Sequence, residues 1–154
     1  MNYRIKKITL FPFNILYWIF PELELRLLYR LKVGSKLNLK NPKTYLEKLN
    51  WLKLNYRNEL MPICSDKYHA RKYIEDKGFG KYLTKVLWEG FNPEEIPFDE
   101  LPDSFIIKCT SGSGFNIICK NKNGLNRKKT IKCLRKWLKE KYLPCYGEWQ
   151  YNKI

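Results

Sequence analysis

The segment FIIKCTSGSGFNIICK, residues 105–120, decides the reading of this chain. Phe105 to Cys109 is an apolar run with one charge in it, Lys108, and Asn116 to Lys120 is a second such run. Both read as short strands, joined by Thr110-Ser111-Gly112-Ser113-Gly114. A lysine inside an apolar strand is costly unless its ammonium reaches an anion or solvent. Gly112 and Gly114 let the backbone approach a ligand and turn N–H groups toward it. Ser111 and Ser113 add hydroxyl donors, and Lys108 adds a point charge suited to a phosphate oxygen. The segment is not a Walker A loop, because no Gly-Lys-Ser or Gly-Lys-Thr closes it and no helix follows directly. The dinucleotide fingerprint is excluded by the same missing helix. An ordinary hairpin turn stands as the plain alternative.

Working outward, Asn126 is expected to cap an amphipathic helix. Ile131, Leu134, Trp137 and Leu138 lie on its apolar side, Arg127, Lys128, Lys132 and Arg135 on its basic side, and Pro144 ends it. Upstream, the stretch from Asn92 to Asp103 holds Pro93, Pro97 and Pro102 with Glu94, Glu95, Asp99, Glu100 and Asp103, and reads as a boundary, a solvated loop or a loosely wound turn. Tyr82 to Trp88 reads as a short strand. A helix capped by Ser65 is expected over Asp66–Ile74, with Lys67 and Arg71 four apart on one side. Another opens at Asn41-Pro42 or at Thr44, whose spacing to Glu47 is that of a capping box. Tyr45, Leu49, Leu52 and Tyr56 form its expected core stripe. Pro21 starts a helix with Leu23, Leu27 and Leu31 on one face, Leu28 beside them, and Gly34 as its stop.

At the N-terminus, Arg4, Lys6 and Lys7 precede an apolar run from Ile8 to Phe20. No small-residue cleavage site follows it, and it falls short of the about 20 residues a membrane span needs. Two readings stand: a helix packed on the domain, which is favoured, or a peripheral anchor on a membrane surface.

The chain has 154 residues and a formal charge of +15, from 30 Lys and Arg against 15 Asp and Glu. Its apolar and aromatic content excludes a disordered chain. The basic excess suits nucleotides, nucleic acid or anionic lipid, and also fits a composition rich in Lys, Asn and Ile with no polyanion partner. No nucleic-acid motif is present, so nucleic acid ranks below the nucleotide. The five cysteines include no C-x-x-C pair, and His69 is the single histidine. A zinc site is therefore not expected, and the thiols read as reduced, in a cytoplasmic protein.

Four blocks now carry a resemblance: NPKTYLEKLNWLKL from Asn41, SDKYHARKYI from Ser65, LPDSFIIKCTSGSGFNIICK from Leu101 and YGEWQYNKI from Tyr146. In order and spacing, Leu39 to Ile154 resembles the TupA-like ATP-grasp proteins, associated with bacterial cell-surface polysaccharide and teichuronopeptide biosynthesis. The resemblance implies an α+β fold. N-terminal helices (1–35) and a helical region (36–80) would precede a small glycine-loop subdomain (81–154), incomplete at its C-terminus. It implies ATP as ligand, with Lys108 and Arg71 on the phosphates and Ser111, Gly112, Ser113 and Gly114 as the lid. The family often carries a His just before the first loop glycine, where this chain has Ser111. A complete member is expected to act as a carboxylate–amine ligase with Mg2+. Here the metal-binding half would have to be supplied, for example by a separately encoded chain. The chain alone is expected not to turn over, and no catalytic residue is assigned to it. The alternative is a basic module binding nucleic acid or an anionic membrane surface, at the inner face of the membrane.

Overall fold

The computed structural model describes residues 7–110 and 112–154. Arg4, Lys6 and Ser111 lie outside the described residues. The fold is α+β: helices with one two-stranded antiparallel sheet. It divides into two compact units, residues 1–61 with 142–153, and residues 62–141 with 154.

In the first unit, helix α1 (Phe11–Ile19) is followed at once by α2 (Pro21–Val33), with Pro21 in the first turn, where its missing N–H is no loss. Gly34, at φ 81°, ends α2 by donating its N–H to the Arg30 carbonyl. Two apolar stripes overlap on α2, and of the expected face only Leu28 is buried. Leu25, Leu28 and Tyr29 are buried, whereas Leu23, Leu27 and Leu31 are exposed. Leu25 and Tyr29 meet Leu37 and Leu39 in a small core, with Tyr17 and Leu54 at its edge. Glu24 is buried with them, and neither carboxyl oxygen has a hydrogen-bond partner.

Helix α3 (Tyr45–Asn55) starts at Thr44, not Asn41. The Thr44 hydroxyl accepts from the Glu47 N–H at 3.2 Å while the Glu47 carboxylate accepts from the Thr44 N–H at 2.9 Å. Its expected core stripe is a correction: Tyr45, Leu52 and Tyr56 are exposed, and only Leu49 of the four is half-buried. The chain returns through 142–153 as two 3-10 turns, Pro144–Tyr146 and Trp149–Lys153. The Cys145 N–H donates to Asn14 Oδ1 at 3.0 Å, joining residues 131 apart in sequence. Gly147, at φ 67°, separates the turns; a Cβ there would lie 3.3 Å from Leu25 Cδ2 and Lys53 Cδ.

The second unit begins within the short helix α4 (Leu60–Ser65), whose last residue is Ser65, so Ser65 closes one helix and does not cap the next. Asp66 takes that role. Its buried Oδ1 accepts from the N–H groups of Tyr68 and His69 at 2.7 and 3.0 Å, just before α5 (His69–Asp76). Lys67 therefore sits in the turn before α5 instead of on its face. Tyr82 to Trp88 is not a strand: a 3-10 turn (Gly80–Tyr82) leads into irregular backbone. A strand exists through its ladder partner, and among the described residues the sheet consists of β1 (Phe105–Lys108) and β2 (Asn116–Cys119).

Register pairs Phe105 with Cys119, Ile106 with Ile118, Ile107 with Ile117 and Lys108 with Asn116. Alternation turns Phe105, Ile107, Ile117 and Cys119 inward. There they pack with Ile96, Phe98, Leu101 and Leu134. Leu134 comes from α6 (Arg127–Leu138), which Asn126 caps by accepting from the Lys129 N–H at 2.9 Å. The helix stops well short of Pro144, and Leu138 is half exposed, not part of the apolar side. Phe115 and Trp137 stack at 5.2 Å between ring centroids.

The stretch from Asn92 to Asp103 is more than a solvated loop. Ile96, Phe98 and Leu101 are core, and two of its five acids reach α6. Asp99 is paired with Arg127, and Glu94 with Arg135. Two cations of the basic helix are thus already neutralised. The Arg127 guanidinium also holds the Asp99 carboxyl below the usual range.

Candidate functional site

The candidate site is the outer face of the β1–β2 hairpin with the loop that joins the strands. Backbone geometry sets the loop. Gly112 and Gly114 both have left-handed φ, 77° and 80°, a region L side chains rarely enter. Gly112 has a second reason to be glycine, since a Cβ there would sit 2.9 Å from the Phe115 ring; at Gly114 the space is open. The Cys109 N–H donates to the Phe115 carbonyl at 3.0 Å, extending the ladder one step into the loop. Ser113 is exposed, and Ser111, expected as a hydroxyl donor, lies outside the described residues.

One contact ties this loop to the turn before α5. Lys67 Nζ donates to the Gly112 carbonyl at 2.7 Å and to the Thr110 carbonyl at 3.1 Å. The Lys67 backbone N–H reaches the same Thr110 oxygen at 3.2 Å. The buried Asp66 cap orients this turn, so the cation is held by main-chain geometry on both sides. Burial depresses the Lys67 ammonium, and the Lys108 charge pushes it the same way, against the opposing pull of Cys109 and Asp66. Lys67 and Lys108 are therefore close enough to repel. Among the described residues neither has a carboxylate within ion-pair distance. Lys67 bonded to the glycine loop and Lys108 on the strand leading into it are cations that an anion with several oxygens could engage.

Lys108 is exposed at the end of β1, where the sequence placed it. Arg71 is half-buried on α5 and donates from Nη2 to the Thr84 carbonyl, holding the irregular segment that follows α5. The pre-loop cation that contacts the loop is Lys67, which sequence reasoning noted only as a neighbour of Arg71. Nothing local marks that contact, since its partners lie 43 and 45 residues away.

The outer face also carries an apolar pair. Ile106 and Ile118 are directly opposite each other across the ladder, 54% and 65% exposed. With period 2 along the strand, Ile106 shares its face with Lys108. The face thus offers a flat aliphatic patch next to a cation, and the alternation in residues 105–108 was the signal for it. Metal binding fits less well. Among the described residues no three His, Cys, Asp or Glu side chains converge on one point. Of the acids between Asn92 and Asp103, Glu94 and Asp99 are paired with Arg135 and Arg127.

A family model described as TupA-like ATPgrasp matches residues 47–154. That span contains the turn of Lys67, helix α5, the hairpin and α6. No curated protein and no solved structure matches the chain.

Proposed function

The chain belongs to the TupA-like ATP-grasp family, and we propose that its hairpin face binds ATP. The single observation that carries this reading is the Lys67 ammonium held on the carbonyls of the glycine loop that follows the exposed Lys108. In this reading both ammonium groups and the N–H groups of Gly112, Ser113 and Gly114 hold phosphate oxygens, with Ser111 in the same loop. The Lys67 bonds to the loop carbonyls keep the loop shaped for that task before the nucleotide arrives, which lowers the ordering cost of binding. Ile106 and Ile118 supply the apolar surface for the purine. Arg71 acts from α5 on the same phosphates or by holding the segment at Thr84.

ATP would supply the phosphoryl group that activates a carboxylate for attack by an amine. The residues described here bind and orient it; no step is assigned to magnesium, because no acidic cluster among them fits the ion. The chain is accordingly the nucleotide-holding part of a carboxylate–amine ligase-like site, serving bacterial cell-surface polysaccharide biosynthesis.

Titration of the chain with a fluorescent ATP analogue tests the reading. Lys108→Ala and Lys67→Ala should each weaken binding about tenfold to a hundredfold, as expected for loss of a charge-assisted hydrogen bond. Phosphate-free adenosine should bind weakly and be indifferent to both changes. Nucleotide affinity that is the same in the wild type and both variants would refute it.

A further inference from the structure

The first unit exposes an apolar helix face that the nucleotide site does not use. On α1, Phe11, Ile15, Trp18 and Ile19 are 60%, 48%, 72% and 61% exposed, and Ile8, one turn before, is 75% exposed. The spacing 8, 11, 15, 18, 19 puts them on one side of the helix. The opposite side is held down. Asn14 accepts from the Cys145 N–H, and Phe13, Leu16 and Tyr17 are half-buried. The helix is therefore fixed in rotation, with its large apolar side chains left toward solvent. At the elbow, Ile19, Phe20, Pro21 and Leu23 line a crevice of about 470 Å3 with Glu22 and Arg26. An apolar patch of this extent is an interaction site, not scattered exposure.

The charge around it selects the partner. Between residues 7 and 36 the acids are Glu22, which is ion-paired to Arg26 at 2.7 Å, and Glu24, which is buried. Lys7, Arg30 and Lys36 are exposed, and among the described residues none has a carboxylate within ion-pair distance. Arg4 and Lys6 add two more cations just upstream in the sequence. Exposed Leu27 and Leu31 interleave with Arg30 on α2. Aromatic and aliphatic side chains beside uncompensated cations match the acyl–headgroup boundary of an anionic bilayer. No helix among the described residues is long and apolar enough to cross a membrane, so the contact would lie in the interface plane.

We propose that the α1 face, with Lys7, Arg30 and Lys36, docks the chain on an anionic lipid surface. Co-sedimentation of the intact chain with phosphatidylcholine vesicles, with and without phosphatidylglycerol, tests it. The wild type should pellet with the phosphatidylglycerol vesicles and be released by added salt. Ile15→Ser with Trp18→Ser should weaken binding by at least about tenfold. Arg30→Glu with Lys36→Glu should weaken it comparably while leaving the apolar face intact. All four positions are exposed, so unchanged circular dichroism and melting temperature are expected and serve as the folding control. Wild-type chain that stays in the supernatant, or pellets equally with neutral vesicles, overturns the proposal. So does a self-association that Trp18→Ser abolishes in a chain that ignores lipid, which would assign the face to a second copy.

Discussion

Glu24 is expected to make this protein less stable at alkaline than at mildly acidic pH. Its side chain is 0% exposed and neither oxygen is hydrogen-bonded. Burial raises its carboxyl from 4.5 to about 7, against the pull of the Lys53 and Lys32 charges. Burial also depresses the Lys53 ammonium, so each partner is only partly compensated by the other. The folded state thus holds the Glu24 proton over a pH range in which the unfolded chain has released it. The stabilisation from that proton is complete below the unfolded value and is lost as pH rises through the folded one. A rise from 4.5 to about 7 corresponds to about 3 kcal/mol of stability lost between those values. Glu24→Gln keeps the volume and removes the charge, at a cost of about 1 kcal/mol for an unpaired amide. The variant should gain about 2 kcal/mol at pH 8, or about 4–8 °C in Tm, and be about 1 kcal/mol weaker than the wild type at pH 4, where only the amide cost remains. Thermal unfolding of both proteins across this range measures it. A wild type and variant whose melting temperatures run parallel with pH would refute the argument, as would a variant that is weaker at pH 8.

Two further predictions concern local geometry. Thr44→Ala removes one half of the capping box and should cost about 1 kcal/mol in chemical denaturation. Hydrogen bonds from the N–H groups of Thr44 and Lys43 hold the Glu47 carboxyl below its ordinary value. Glu47→Gln should therefore lower stability at neutral pH, and its deficit should shrink as acid protonates the wild-type carboxylate. Gly112→Ala should disturb the loop more than Gly114→Ala. Both strain φ, but only the first also drives a Cβ into the Phe115 ring. Amide exchange of the loop and fluorescent-nucleotide binding should rank them in that order, and equal effects would mean that φ alone governs.

Features that depend on partners within about one turn were legible in the sequence. Thr44 with Glu47, Gly34 as a helix stop, Asn126 as a cap and the alternation in Phe105–Lys108 all became structure as their residue types dictate. The glycine loop between two short strands was legible for the same reason, and with it the position of Lys108. The resemblance carried the rest of the α+β assignment.

Tertiary contacts decided what local pattern left degenerate. Helix α2 offers two apolar stripes, and hydropathy has no direction, so only the positions of Leu37, Leu39 and Tyr17 selected Leu25 and Tyr29 over Leu23, Leu27 and Leu31. The apolar residues of Tyr82–Trp88 suit a strand, but no ladder partner meets them. The acids at Glu94 and Asp99 are exposed, as expected, but that α6 would bring Arg135 and Arg127 to them was not visible in the sequence. Lys67 is one of many lysines in the sequence, and it became the loop cation because the Asp66 cap turns the chain toward carbonyls more than forty residues away. Periodicity and capping act over a few residues along the chain, whereas burial and charge pairing depend on which distant segments meet, and the packing of these helices and this hairpin settled that.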